Sequence, residues 1–137
     1  MKTRAFKTRN ETQLGFSAIG LGTAPLGEIY EILDERTSIA TVEQALASGV
    51  RLFDTSPHYG NGIAGSRVGA GLRRVQRSDV IVSTKIGRVM DPLEKPPPRN
   101  QDVVSPGFVG GHRHAPRFDY SYEERCALSS NRCFAQA

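Results

Sequence analysis

Short apolar runs of strand length, each stopped by a polar residue and a glycine, alternate along the chain with stretches whose apolar positions recur at helical spacing. Residues 3–7 and 14–19 flank the polar turn Thr8-Arg9-Asn10-Glu11 and predict a hairpin. Residues 19–23 predict a first strand. Asp34-Glu35-Arg36-Thr37 then opens a helix with a capping aspartate and an acidic first turn. Within it Ile39, Val42, Ala45 and Leu46 share one face, and Gly49 ends the run. Residues 50–53 predict a second strand, ended by Asp54. A glycine-rich loop over 61–65 leads to a second helix that begins with Ser66-Arg67-Val68-Gly69-Ala70-Gly71-Leu72. Residues 79–86 predict a third strand, in which Val80, Ile81 and Val82 give the continuous apolar run of a strand covered on both faces. From 90 to 117 the composition turns to prolines, charges and glycines, including Pro96-Pro97-Pro98, and predicts a long loop.

This order of strands and helices is that of a parallel α/β sheet, whose strands deliver side chains to a common rim. Asp54, Tyr59 and Lys85 are the side chains so delivered. Adjacent parallel strands lie about 4.8 Å apart, so side chains at their C-terminal ends can meet. A lysine at the end of a buried strand is costly without a partner, and Asp54 is the available one. An ammonium near a phenol favours the phenolate and lowers a pKa normally about 10, which makes a tyrosine usable as a general acid. Taken singly, Asp54 also suits a cap for the turn Thr55-Ser56-Pro57, and Tyr59 an exposed loop aromatic.

Composition narrows the classes of function. The chain has 137 residues, 38% of them apolar, with 14 glycines and no tryptophan, which suits one globular domain. The net charge of +4 comes in part from Lys2, Arg4, Lys7 and Arg9 and from Arg73, Arg74 and Arg77. Neither cluster is interleaved with aromatics, so nucleic acid is not an expected partner, and arginines after a helix complement its dipole. No apolar run is long enough to cross a membrane and no signal segment is evident, so a cytoplasmic location and no membrane partner are expected. Cys126 and Cys133 suggest neither zinc nor a disulfide framework. His112 and His114 lack further ligands nearby, so no metal site is expected. Gly69-Ala70-Gly71 follows no strand and fails the context of a dinucleotide fingerprint.

Three motifs, in order and at these separations, resemble the start of an aldo-keto reductase: Gly20-Leu21-Gly22-Thr23, Phe53-Asp54-Thr55-Ser56-Pro57-His58-Tyr59-Gly60 and Ser83-Thr84-Lys85-Ile86-Gly87-Arg88. They cover residues 14–88, and the likeness is greatest to the sugar and pyridoxal dehydrogenase branch. The resemblance implies an α/β fold: about three βα units from the N-terminal portion of a (β/α)8 TIM barrel, preceded by a β-hairpin and occupying residues 1–120. It implies an oxidoreductase that uses NADP or NAD, with hydride transfer between the nicotinamide and an aldehyde, ketone or aldose carbon of a small carbonyl or sugar substrate. Asp54, Tyr59 and Lys85 match three members of the family's catalytic tetrad. Gly22, Thr23 and Asp54 become the expected neighbours of the cofactor. The fourth tetrad member, a histidine on the next strand, has no counterpart here, and His58 is not its substitute because Tyr59 already holds the acid position. Most members carry a glutamate where Arg67 stands, which takes away the basis for expecting a local ion pair with the loop. Phe118-Asp119-Tyr120-Ser121-Tyr122 resembles the start of the family's third helix, with Asp119 or Ser121 as cap.

After Glu123 the helical stripe disappears, and residues 121–137 form an aberrant tail. Codons can be chosen for residues 124–133 that, read two nucleotides later, spell Ala-Leu-Arg-Ser-Leu-Glu-Gln-Ser-Leu, so a shifted reading frame near Glu124 is expected. A whole barrel needs roughly 250 residues. The chain alone is therefore expected to be poorly stable and inactive, the rival readings being a non-catalytic remnant or interaction module and a small nucleotide-binding α/β domain.

Overall fold

The computed structural model of the chain describes residues 1–11, 13–95, 107–109 and 113–123. Strands β1 (Thr3–Lys7) and β2 (Gln13–Ser17) pair antiparallel, with Thr3 opposite Ser17 and Lys7 opposite Gln13. Phe6 and Phe16 meet edge to face at 6.2 Å across this hairpin. Ser17 ties it to the rest of the molecule: its hydroxyl donates to the Ile19 carbonyl at 2.7 Å and accepts the Arg51 N–H at 2.9 Å.

Three short parallel strands follow in the order β3 (Gly20–Gly22), β4 (Leu52–Asp54) and β5 (Ile81–Ser83), with Gly22 beside Asp54 and Asp54 beside Ser83. They are shorter than the apolar runs predict. Hydrogen bonds from the N–H of Thr23 to the Asp54 carbonyl and from the N–H of Thr55 to the Ser83 carbonyl carry the pairing one residue further before the chain turns away. Helices α1 (Glu35–Ala47) and α2 (Ile63–Leu72) are the crossovers. The Asp34 carboxylate caps α1 by accepting the Thr37 N–H at 2.9 Å, and Gly49 leaves the helix with φ +90°.

Apolar burial between these helices and the sheet holds the unit together. Val42, Phe53, Ala64 and Val68 are fully buried there, with Leu26, Val50 and Val80 around them. The second helix begins at Ile63, three residues before the predicted start, and Leu72 closes it. Gly60, Asn61 and Gly62 all have positive φ, so the turn is completed by residue 62 and the glycines after it lie inside the helix. Gly71 has a packing role: a Cβ there would stand 2.7 Å from the Val42 side chain, which sets how closely α1 and α2 approach.

The stretch predicted as one long loop begins and ends in secondary structure. Strands β6 (Arg88–Pro92) and β7 (His114–Phe118) pair antiparallel, Arg88 opposite Phe118 and Met90 opposite Pro116. Pro92 and Pro116 hid this ribbon from the sequence, because proline lacks the donor that a strand uses. An isolated two-stranded ribbon can seat such residues on its open side. Of the predicted third helix only Tyr122 and Glu123 are described and helical, and the reading-frame expectation for 124–137 lies outside the described residues. Among the described residues no helix is long and apolar enough to cross a membrane.

Candidate active site

Lys85 follows β5 by two residues, and its ammonium hydrogen-bonds the Asp54 carboxylate at the end of β4 and the Thr55 carbonyl, the latter at 3.1 Å. It also lies 5.1 Å from the centre of the Tyr59 ring, within cation–π range. Strand pairing is what gathers these groups, since Asp54 stands in register with Ser83. The Asp54 and Lys85 side chains are 40% and 45% exposed, so this is a solvent-facing pair at the sheet rim. Partial burial, the largest single influence, pulls the Lys85 ammonium down, but hydrogen bonding to Asp54 and Tyr59 together with their charges outweighs it. Its pKa ends above the ordinary lysine value.

The backbone of Tyr59 is fixed from below. The short 3-10 turn Pro25–Gly27 presses against it, and a Cβ on Gly27 would stand 2.5 Å from the Tyr59 carbonyl carbon and 2.7 Å from the Gly60 nitrogen. That turn is held in place by Arg67, fully buried in α2. Its guanidinium donates to the carbonyls of Leu26 and Leu33, at 2.5 and 2.9 Å, and to the Glu28 carboxylate at 2.9 Å, with Glu35 at 3.4 Å. Arg67 therefore forms a buried ion pair with Glu28, a partner distant along the chain rather than in the adjacent glycine-rich loop. The signal that could have found it is a glutamate next to a glycine in a short apolar loop, where a charge needs a buried partner.

The other predicted residues fall in distinct places. Gly22 is exposed beside Asp54, and a Cβ built on it meets nothing within 4 Å. Thr23 is fully buried, its hydroxyl donating to the Asp54 carbonyl at 2.9 Å. His58 lies edge to face with Phe108 at 5.3 Å. Among the described residues no group of three His, Cys, Asp or Glu stands close enough to hold a metal ion.

A cavity of about 340 Å³ opens beside Tyr59 and Lys85. Its lining includes residues the sequence reading did not single out as part of the site: Arg88 and Phe118 of the β6–β7 ribbon and Tyr120 just after it. The Arg88 guanidinium lies 4.9 Å from the Phe118 ring centre, and the Phe118 and Tyr120 rings stack at 6.5 Å and 13°. Tyr120 packs onto Gly87, where φ is +93° and a side chain would collide with its ring. The ribbon is tied to the Tyr59 turn by the Asn61 amide, which donates to the His114 carbonyl at 2.9 Å.

The sequence profile of the Aldo/keto reductase family matches residues 18–110. The chain is 44% identical over 79 residues to L-galactose dehydrogenase of Arabidopsis thaliana, covering 56% of this chain and 25% of that protein. It is 34% identical over 129 residues to pyridoxal 4-dehydrogenase of Microbacterium luteolum, covering 90% of this chain and 37% of that protein. Among solved structures it is similar to the aldo-keto reductase AKR11C1 from Bacillus halodurans in its holo form, at a TM-score of 0.60 and 25% identity, over 98% of this chain and 37% of that one. The chain thus spans between a quarter and about two fifths of these three proteins, and its three-stranded parallel sheet corresponds to part of a (β/α)8 barrel. Strand register, crossover helices and the matched profile converge on one conclusion: this chain belongs to the aldo/keto reductase family.

Proposed function

We propose that these residues carry the proton-transfer half of a hydride exchange between NAD or NADP and an aldehyde, ketone or aldose carbon. The observation that carries the reading is the Lys85 ammonium held between the Asp54 carboxylate and the face of Tyr59. Tyr59 would give its proton to the substrate oxygen in reduction and take it back in oxidation. An ammonium this close stabilises the negative charge the phenol acquires on giving up its proton, and Asp54 keeps Lys85 charged and aimed. Exposed Gly22, with open space where a side chain would be, suits the approach of a flat ring to the backbone next to Asp54. A nicotinamide bound there would supply or accept the hydride. Thr23 would act indirectly, by fixing the Asp54 backbone.

The chain by itself is proposed to be a poor catalyst. Edge strands β3 and β5 each leave one side unpaired among the described residues, and closure is what removes such edges. The resemblance also calls for a histidine on a fourth strand, with no counterpart here. A chimera tests both parts. Residues 1–95 replace the corresponding segment of pyridoxal 4-dehydrogenase, and turnover is compared with that of the 137-residue chain. The expected result is an active chimera, a chain with little or no turnover, and a loss of about a hundredfold to ten-thousandfold in the chimera on Tyr59→Phe or Lys85→Met. A folded but inactive chimera overturns the catalytic reading, and carbonyl reduction by the monomeric chain overturns the second.

A further inference from the structure

The cavity beside Tyr59 holds two cations of different standing. Lys85 is matched by Asp54. Arg88 is half-buried in the same lining, its guanidinium over the face of Phe118. The carboxylates of the ribbon are engaged elsewhere: Asp91 and Asp119 both pair with Arg117, at 2.9 and 2.8 Å. Arg88 thus faces a small cavity with a positive charge that no carboxylate among the described residues balances, and a cation against an aromatic face keeps its outer N–H donors free for a ligand. A guanidinium recognises carboxylate or phosphate oxygens through paired hydrogen bonds. Phe118 and Tyr120 add stacked aromatic surface to the same wall. The volume of about 340 Å³ lies at the small end of ligand clefts, which run from about 300 to 1,000 Å³.

We infer that Arg88 is a specificity-determining residue, and that the cavity selects carbonyl compounds of roughly one ring that carry an anionic oxygen group, Arg88 holding the anion and the ribbon aromatics covering the ring. This rests on the site being the carbonyl site of the function proposed above. The anion sits on the ribbon wall and the reacting oxygen on the Tyr59 wall, so the two ends of the molecule are read by different elements. Neutral carbonyls of the same shape would enter but lack the paired hydrogen bonds.

The test is direct binding to the 137-residue chain by saturation-transfer NMR, with 4-formylbenzoate and the isosteric neutral 4-formylbenzamide as probes. The charged probe is expected to bind at least about tenfold more tightly, with the difference shrinking at high salt. Arg88→Gln is expected to remove the difference between the two probes, and Arg88→Lys to restore part of the preference. Equal affinities in the unaltered chain, no binding of either probe, or an unchanged ratio in Arg88→Gln each overturn the inference. The comparison in the unaltered chain keeps the test valid if Arg88→Gln does not fold. The two readings also fail separately. Charge preference with a folded but inactive chimera leaves an anion site at Arg88 but overturns the catalytic reading and with it the carbonyl assignment, and an active chimera with no charge preference sinks this inference alone.

Discussion

Gly27 and Gly60 meet backbone to backbone, closer than any pair of residues bearing side chains could. Gly60 also has φ +63°, so a side chain there is excluded both by space and by conformation. Because Tyr59 precedes Gly60, this contact sets where the phenol stands. Gly60→Ala is expected to destabilise the fold by about 2 kcal/mol or more, with Gly27→Ala of similar size. Urea denaturation measures this, and an unchanged midpoint in both variants would show that the two turns are free to separate.

Gly65 and Gly71 lie in the same helix, and the structure separates them. A Cβ at Gly65 meets nothing within 4 Å, whereas one at Gly71 runs into Val42. Gly65→Ala should therefore stabilise by about 0.5 to 1 kcal/mol through helix propensity. Gly71→Ala should cost about 1 to 3 kcal/mol through overpacking, partly relieved by a second change, Val42→Ala. Thermal denaturation of the three variants checks the pattern. The same sign at both glycines would contradict the packing of α1 on α2.

Arg67→Met removes the cation from a fully buried carboxylate and the donors from two loop carbonyls. The expected loss is about 3 to 5 kcal/mol. Glu35→Ala removes a carboxylate that is 64% exposed and should cost about 0 to 1 kcal/mol. Denaturant midpoints of the two variants should differ accordingly, and a mild Arg67→Met would mean the loop is held by other contacts.

Two pH dependences follow from opposite shifts. The folded pKa of Lys85 is raised, so its stabilising contribution is complete below the unfolded value of 10.5 and is lost as pH rises past it. Lys85→Met should flatten the alkaline limb of the stability curve, lowering stability at neutral pH and converging with the unaltered chain at high pH. The folded pKa of Asp34 is lowered, chiefly by the Thr37 N–H, so its contribution is complete above the unfolded value of 3.8 and is lost as pH falls below it. Asp34→Ala should flatten the acid limb. Melting temperatures across pH report both, and limbs that persist in the variants would assign the titrations to other groups.

The sequence made legible what depends on local pattern. Apolar runs ending in glycine marked three parallel strands, and once those are adjacent Asp54 and Lys85 must meet. Helix α1 carried its cap and its stop in plain view. What stayed hidden depends on partners distant along the chain. Arg67 gains its partners from Leu26, Glu28 and Leu33, more than thirty residues away along the chain. Arg88 and Phe118 become neighbours only through the pairing of β6 with β7, and prolines in both strands mask that pairing. The glycines at 60 and 62 gave the turn, but Gly65, read as loop, lies inside the helix, with open space where a side chain would be.

The hydrogen bond from the Asn61 amide to the His114 carbonyl spans 53 residues of chain. Asn61 is itself buried in a left-handed conformation, two residues after Tyr59. The ribbon that walls the cavity and the turn that aims the phenol are thus latched together. Swinging the ribbon outward to admit a larger molecule must break that bond and loosen the tyrosine, so admission and aim are mechanically linked. Under the proposed reaction, a molecule too large for the closed ribbon would meet a tyrosine no longer held by this latch.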